Sequence, residues 1–519
     1  MHLSLKSACI TLGILADDNE WIQCFTEAII FASGQGLRSI FVTALLHGDI
    51  TDPAELWNTF AESICDDLKH YLSLHPEFIL QPNLLNIHLD YGLHLVQTAL
   101  AQYGKCLNDY HLPLPVGGWE RTYGNSLIAE ELDWNRESEG VLARARIQQL
   151  NTEQKIAFDT IINSIEQVQP KVFFLQGPAG TGKTHVYNTI CNYLRAQGKI
   201  VLCCASSGIA ALLLPGGRTS HSRFKIPLAI TESSTCNISH KTQLGELLTK
   251  TDLIIWDEVP MQHKYCFEAV SRTLNDLCGT GPDSLFGNIP ILLGSDFAQI
   301  LPVVRRGNRS QTVAACIQKS FIWHHLTVLN LKQNMRVQQG QNTAQFTTWL
   351  SQLSYDPNWH GQIKLPLFIH TVANITDLCD FVYPPELLQV AHFQHTIFQN
   401  RAVLAPHNDT VSDFNSILLQ KISGQLHSFY AEDTVDVNDR EGGIDHLPVE
   451  YLQSLNPASI PPSHLQLRVG VPVILLRNLD PKQGLCNGTR MVVTRLGQRC
   501  IEVISLTGQF TGIYHLIYK

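Results

Sequence analysis

An α/β fold is what three observations in this 519-residue chain predict. Unbroken apolar runs of strand length recur at Val172 to Leu175, Ile200 to Ala205, Leu253 to Trp256 and Pro290 to Leu293, and each reads as a buried strand. Helix-like stretches such as His185 to Gln197 lie between them. The first run breaks directly into GPAGTGKT, residues Gly177, Pro178, Ala179, Gly180, Thr181, Gly182, Lys183 and Thr184. Strand, glycine loop and helix in that order form a phosphate cradle. The glycines let backbone N–H groups converge on phosphate oxygens, and the helix opening at Lys183 adds the positive end of its dipole. Lys183 is placed to hold the β- and γ-phosphates of a nucleoside triphosphate, and Thr184 to ligate Mg²⁺. A chance match to this pattern in a turn would lack the flanking strand and helix, and both are present.

The length exceeds one compact core and suggests several units. Hydrophobic content of 44% supports buried cores, while the net charge of −9 argues against nucleic acid only if it is evenly spread. It is not. Residues 1 to 149 hold 8 Lys and Arg against 19 Asp and Glu, and the remainder holds 29 against 27. Within that remainder Arg195, Lys199, Arg218, Arg223 and Lys225 fall in residues 185 to 231, which contain no acid. Such a local excess either binds a phosphate backbone or forms a solvated basic face. Fourteen cysteines are scattered with no C-x-x-C, so zinc spacing is absent and free buried thiols are expected. The apolar stretch Ala8 to Ala16 runs straight into Asp17-Asp18-Asn19-Glu20 and reads as the start of a helix rather than a cleaved leader. Nothing reaches the length of a membrane span.

Residues 1 to 110 show helical periodicity at Trp21 to Ala32, Leu56 to Leu74 and Leu93 to Leu107. His88 and His94 lack partners at ligand spacing and read as helix-face residues. Residues 111 to 149, with Pro113, Pro115 and the charged Glu130 to Glu139, read as a connector. Asn151 with Gln154 three residues on signals a helix cap, and the Gln154 amide could equally recognise adenine, since it donates and accepts at once. After the phosphate loop, residues 205 to 227 gather Ser206, Ser207, Thr219, His221 and Ser222 as short donors, Arg218, Arg223 and Lys225 as charge, and Phe224 as a ring to stack on a base. These are ingredients of a single-strand track, or of a capped loop.

The strand Leu253 to Trp256 ends in Asp257 and Glu258, about seventy residues after the phosphate loop. Asp257 is placed to hold Mg²⁺ through water and Glu258 to activate the attacking water. Asp296 and Gln299 follow the next buried strand, placed to sense the γ-phosphate. Asn334-Met335-Arg336 follows the strand Thr327 to Leu331, from which Arg336 could reach the nucleotide. Beyond it, Arg401 to Pro406 reads as a strand, Asn408 to Ile422 as a helix, and Val471 to Leu476, Met491 to Leu496 and Ile501 to Leu506 as short strands of a small β module.

Taken in order, LNTEQ, GPAGTGKT, ASSGIAALLLPGGRTSHSRFKIP, IIWDEVPM, LLGSDFAQILPVV, LKQNMR and LRVGVPVILLRNLDPKQGLCNGTR resemble the motifs of the petite-integration-frequency (PIF) family of ATP-dependent DNA helicases. The segments LADDNEWIQCFTEA and ITDPAELWNTFAESICDDL resemble the region preceding the helicase in Helitron transposon proteins, without that protein's paired-histidine nuclease.

The resemblance implies a P-loop NTPase with tandem RecA-like domains, at residues 150–338 and 339–519. It further implies that the second domain is incomplete and carries a small β-barrel insertion near 465–510, and that a helical N-terminal region precedes the first. It implies a superfamily-one motor moving 5′ to 3′ on single-stranded and forked DNA with ATP and Mg²⁺, in repair, recombination or telomere maintenance. It points to a nuclear location, with the mitochondrion as alternative.

By the same resemblance Gln154 contacts adenine, Lys183 and Thr184 bind phosphate and metal, Asp257 and Glu258 hydrolyse, and Gln299 and Arg336 read the γ-phosphate. DNA contacts fall to Ser206, Ser207, Thr219, His221, Arg223, Phe224, Asn487 and Thr489. The third motif departs from the family, which has Gly where Ser295 stands and Arg where Ala298 stands. The family's motifs also continue past the last residue here, so a truncated motor is expected. Two readings stand beside the helicase: a nucleotide-responsive single-strand-binding protein without unwinding, and a P-loop ATPase that does not bind nucleic acid.

Overall fold

The structure is a computed structural model. It describes the chain apart from residues 1–17, 31, 49, 75–83, 102–104, 120–124, 168–170, 305, 336–340, 356–361, 391–394, 432–462, 478, 480–482, 509 and 519. The chain divides into two compact units, one of Thr122–His370 and one joining Met1–Arg121 to Thr371–Lys519. The N-terminal helices and the β module, widely separated in sequence, therefore share a unit.

The unit of residues 122–370 has the α/β P-loop fold that the sequence predicts. Its sheet contains β1 (Val172–Gln176), β2 (Val201–Ala205), β3 (Arg218–Thr219), β4 (Leu253–Asp257), β5 (Ile291–Ser295) and β6 (Leu326–Asn330). All pairings are parallel, in the order β3-β2-β4-β5-β1-β6. The apolar runs are continuous because both faces are covered. Val172, Phe174, Leu202, Cys204, Ile254, Trp256, Ile291 and Leu293 enter one core. Phe173, Leu175, Val201, Cys203, Leu253, Ile255 and Leu292 enter the other, against helices Thr152–Glu166 and Lys183–Ala196. The period of two along each strand divides these side chains between the faces. In-register pairing of Gln176 with Ser295 and of Ala205 with Asp257 aligns the carboxyl ends of four strands on one edge, where open α/β sheets bind ligands.

The region expected to be a connector instead forms helices Ser126–Leu132 and Arg136–Gln149, capped by Asn125 and Asn135. Glu139 accepts from Asn192 Nδ2 at 2.6 Å and fastens the second helix to the one that follows the phosphate loop.

In the other unit, helices Asn19–Ala28, Gly34–His47, Pro53–Ile64, Asp66–Leu74 and Ile87–Ala101 close a core around Phe25, Phe41, Trp57 and Phe60. Gly34–His47 lies within the region read as helical, between the stretches whose periodicity stands out. His88 bonds Glu62 at 3.2 Å, a helix-face partner as its spacing suggested. The β module holds β7 (His427–Tyr430) against β8 (His464–Leu467), and an antiparallel sheet of β9 (Pro472–Ile474), β10 (Arg490–Leu496), β11 (Cys500–Ser505) and β12 (Tyr514–Tyr518). Cys500 is buried in the helical core, the Arg499 amide donates to Glu27, and the Arg499 guanidinium pairs with Glu20.

The expected strand over 401–406 does not form. The Arg401 carbonyl accepts from the Tyr383 hydroxyl and the Arg490 guanidinium, which occupy the acceptor that a ladder would use. The expected helix start at Ala8 to Ala16 lies outside the described residues. No helix among the described residues is long and apolar enough to cross a membrane, and none of the described cysteines is in a disulfide.

Candidate active site

The phosphate loop leaves β1 and turns into helix Lys183–Ala196 through Gly180 (φ +89°) and Gly182 (φ +86°), both in the left-handed region where a Cβ is strained. A Cβ on Gly177 would lie 2.4 Å from Thr181 Oγ1 and 2.9 Å from the Leu331 carbonyl, so the loop can close only with glycine there. No side chain caps the helix start at Gly182, and uncapped first-turn N–H groups are what an anion site uses. Lys183 Nζ donates to the Gly177 carbonyl at 2.7 Å, which draws the ammonium across the loop.

Carboxylates face this cradle from two adjacent strands. Asp257 ends β4 and is buried, and burial pushes its carboxyl above the ordinary range; the Glu258 amide, Lys183 and the Tyr187 hydroxyl oppose that shift. Glu258 follows at φ +55°, a strained conformation for a non-glycine residue and one that clusters at functional sites. Its carboxyl is also raised, first by burial and then by Asp257, with Lys183 opposing and Asp296 adding to the rise. A carboxyl held above its usual range is what a general base working near neutral pH requires. Asp296, after β5, is buried and accepts from Ala298 N at 3.0 Å. Gln299 lies in the exposed loop beyond, with its amide 3.5 Å from Asp296 Oδ2.

No group of three or more metal-type side chains assembles among the described residues. Mg²⁺ keeps several waters and takes one or two carboxylates together with substrate phosphates. Thr184 and Asp257 are the residues that would hold it.

The sequence missed a strap that ties the cradle down. After β6, Met335 N donates to the Gly180 carbonyl at 2.7 Å and Asn334 Nδ2 to the Ala179 carbonyl at 3.3 Å. The Lys332 and Gln333 amides donate to Glu153 Oε2 at 2.7 and 3.1 Å. The triplet Asn334-Met335-Arg336 was legible only for its arginine, and Arg336 lies outside the described residues.

Several expected contacts are corrected. Gln154 is 2% exposed; its Oε1 accepts from Asn151 N and its Nε2 donates to the Thr181 carbonyl, so it caps its helix and props the loop rather than facing a base. Arg223 is 3% exposed and spends its guanidinium on Glu131 at 2.9 Å and the Gly216 carbonyl at 3.0 Å. Phe224 is 1% exposed and stacks on Trp256 in the core, where no base can reach it. Thr489 is buried, accepting from Cys486 N and donating to the Gly484 carbonyl inside its own turn. Ser206 donates to Gln262 Oε1 at 3.1 Å.

The basic cluster around these residues is largely neutralised. Arg195 stacks over Trp134 at 3.9 Å and donates to two carbonyls, Arg218 pairs with Glu130 at 3.6 Å, and Lys199 with Asp252 at 3.8 Å. Both glutamates that bind Arg218 and Arg223 sit on the helix Ser126–Leu132, in the stretch read as a connector.

Ser207 and Thr219 cap short helices by accepting from Ala210 N and Ser222 N, and each keeps its O–H to donate. His221 is partly buried, which lowers its pKa, and Asn487 is exposed at the turn before β10.

The sequence profile of the PIF1-like helicase family matches residues 149–357, and that of the DNA helicase Pif1 2B domain matches residues 450–496. The ATP-dependent DNA helicase Pif1 of Psychrobacter sp. is 27% identical over 325 residues, covering 62% of this chain and 43% of that protein. The Xenopus laevis ATP-dependent DNA helicase PIF1 is 26% identical over 389 residues, covering 73% of this chain and 52% of that protein. The chain thus spans about half the length of the curated relatives it matches. Among solved structures, a Bacteroides Pif1 helicase in complex with ADP-AlF3 and ssDNA aligns with TM-score 0.47 and 21% identity over 70% of this chain and 73% of that one. Candida albicans Pif1 helicase aligns with TM-score 0.45 and 20% identity over 71% and 78%.

Proposed function

From the premise that the chain belongs to the PIF1-like helicase family, we propose that it is an ATP-dependent DNA helicase. One observation carries the reading: the glycine cradle, the Lys183 ammonium and the Asp257, Glu258 and Asp296 carboxyls converge at the carboxyl edge of a single parallel sheet. The cradle and Lys183 bind the triphosphate. Thr184 and Asp257 would hold Mg²⁺, which would supply charge neutralisation at the phosphates. Glu258 takes a proton from the attacking water, and Gln299 senses the γ-phosphate from the loop after β5.

Movement is 5′ to 3′ along single-stranded DNA, in repair, recombination or telomere maintenance in the nucleus. Of the expected DNA contacts Ser207, Thr219, His221 and Asn487 remain and the exposed Lys225 joins them, since Ser206, Arg223, Phe224 and Thr489 are committed internally. Family likeness supports this assignment, with relatives named as ATP-dependent DNA helicases.

The test is strand release from a forked duplex by this chain with ATP and Mg²⁺. Release that disappears in Lys183→Ala is expected. Nucleotide-dependent binding of the fork without release would overturn unwinding in favour of a single-strand-binding role, and ATP turnover indifferent to DNA would overturn both.

A further inference from the structure

Tyr187 lies one turn into the helix that follows the phosphate loop, outside every motif recognised in the sequence, and its side chain is 0% exposed. Its hydroxyl donates to Asp257 Oδ1 at 3.2 Å, across from the helix to the end of β4. The third member of the arrangement is an absence of side chain. A Cβ on Gly294 of β5 would lie 1.6 Å from the Tyr187 hydroxyl oxygen, 2.7 Å from the ring carbon that bears it and 2.8 Å from Asp257 Oδ1. No rearrangement of a flexible tip relieves such an overlap, because the obstructed atoms belong to a rigid ring in close-packed surroundings. Gly294 therefore vacates the space in which the phenol meets the carboxylate.

We propose that Tyr187 is the positioning residue of Asp257, fixing the carboxylate for Mg²⁺–nucleotide, and that Gly294 is the vacancy that admits it. The proposal rests on the nucleotide reading given above and names a residue that acts through Asp257, without touching the substrate. A carboxylate at the end of a strand has two accessible orientations about its terminal torsion, and one donor on Oδ1 selects between them. Phe at 187 would conserve the ring and the packing while removing only that donor.

The experiment uses the full chain and a fluorescent non-hydrolysable ATP analogue, titrated with Mg²⁺. Removing a partner that orients a metal-holding side chain typically costs 10- to 100-fold in metal affinity. Tyr187→Phe is therefore expected to raise the Mg²⁺ midpoint by about 10-fold or more, with a thermal melt close to the parent's. The same substitution in an Asp257→Asn background is expected to add nothing, because the phenol acts only through that carboxylate. Gly294→Ala is expected to reproduce the Mg²⁺ shift; should that variant fail to fold, the Tyr187→Phe titration decides alone.

An unchanged Mg²⁺ midpoint in Tyr187→Phe, with binding still lost in Lys183→Ala, would overturn the positioning role and leave the nucleotide site standing. Equal additional losses in the Asp257 and Asp257→Asn backgrounds would overturn it too, by showing a packing role. Binding insensitive to both Mg²⁺ and Lys183→Ala would sink the nucleotide reading itself, and the positioning role with it.

Discussion

Two stretches at the carboxyl edge of the same sheet carry similar chemistry in sequence and opposite commitments in the fold. Residues 177–184 and 205–227 both follow buried strands, and both mix glycine, hydroxyl residues and cations. In the first, two of the glycines take left-handed conformations, no side chain caps the helix start, and Lys183 gives one ammonium donor to the Gly177 carbonyl and keeps two. In the second, Arg223 is buried against Glu131, Arg218 meets Glu130, Ser206 meets Gln262, and Phe224 lies under Trp256. A polar residue at a strand end is available to a ligand only if no internal partner reaches it first. Two of the partners that decide this, Glu130 and Glu131, come from a helix some ninety residues earlier in the chain, and the other two, Trp256 and Gln262, from β4 and the turn after it.

The comparison can be broken most forcefully at Glu258. Glu258→Gln removes the proposed general base while Asp257 and the cradle remain, and turnover is expected to fall about 10²- to 10⁴-fold with nucleotide binding retained. Single-turnover phosphate release would show it, and an undiminished rate would reassign the base. On the other side of the comparison, Arg223→Ala leaves Glu131 buried without its partner. It should cost about 3–5 kcal/mol of stability in urea unfolding, as breaking a buried ion pair does. A stable variant that had lost single-strand binding would restore Arg223 to the DNA surface.

Lys183→Ala should weaken ATP-analogue binding about 10- to 100-fold, the scale of a lost charge-assisted hydrogen bond, with the melting temperature little moved. Equal affinity would remove the cradle assignment. A smaller effect follows from the raised Glu258 carboxyl. Its folded form holds a proton more tightly than the unfolded chain does, so stability falls as pH rises from the ordinary value of 4.5 through the raised one. Glu258→Gln lacks that loss and should melt above the parent at pH 7, with the difference closing below pH 4.5. A variant that instead melted below the parent at pH 7, with the gap closing toward low pH, would show that the carboxyl is depressed. Smallest is Lys225→Ala, expected to lower single-strand affinity slightly and the slope of log affinity against log salt by about one; no change in slope would remove Lys225 from the contact.

Much of the α/β unit could be read from the chain because its signals are local. The run Val172 to Leu175, the glycines and the Asp257-Glu258 pair lie within a few residues of what they build. Helix Asn408–Lys421 and strands β10 and β11 were legible for the same reason. The helices Ser126–Leu132 and Arg136–Gln149 were not, since their polar sequence carries little apolar periodicity and they are held through Glu131 and Glu139 by groups far along the chain. Nor could the sequence tell that Cys500 closes the core of helices that begin at Asn19, because nothing local to either segment names the other. Gln154 was read two ways, and its cap and its prop to Thr181 are both internal.

The strap after β6 gives the phosphate loop a mechanical connection. Because the Gly180 carbonyl is held by the Met335 amide, and Ala179 by Asn334, the loop cannot shift around an incoming phosphate without pulling on the peptide that leads out of the sheet. A shift of the loop would thus be felt first at the Met335 amide, whose hydrogen-exchange rate would report it.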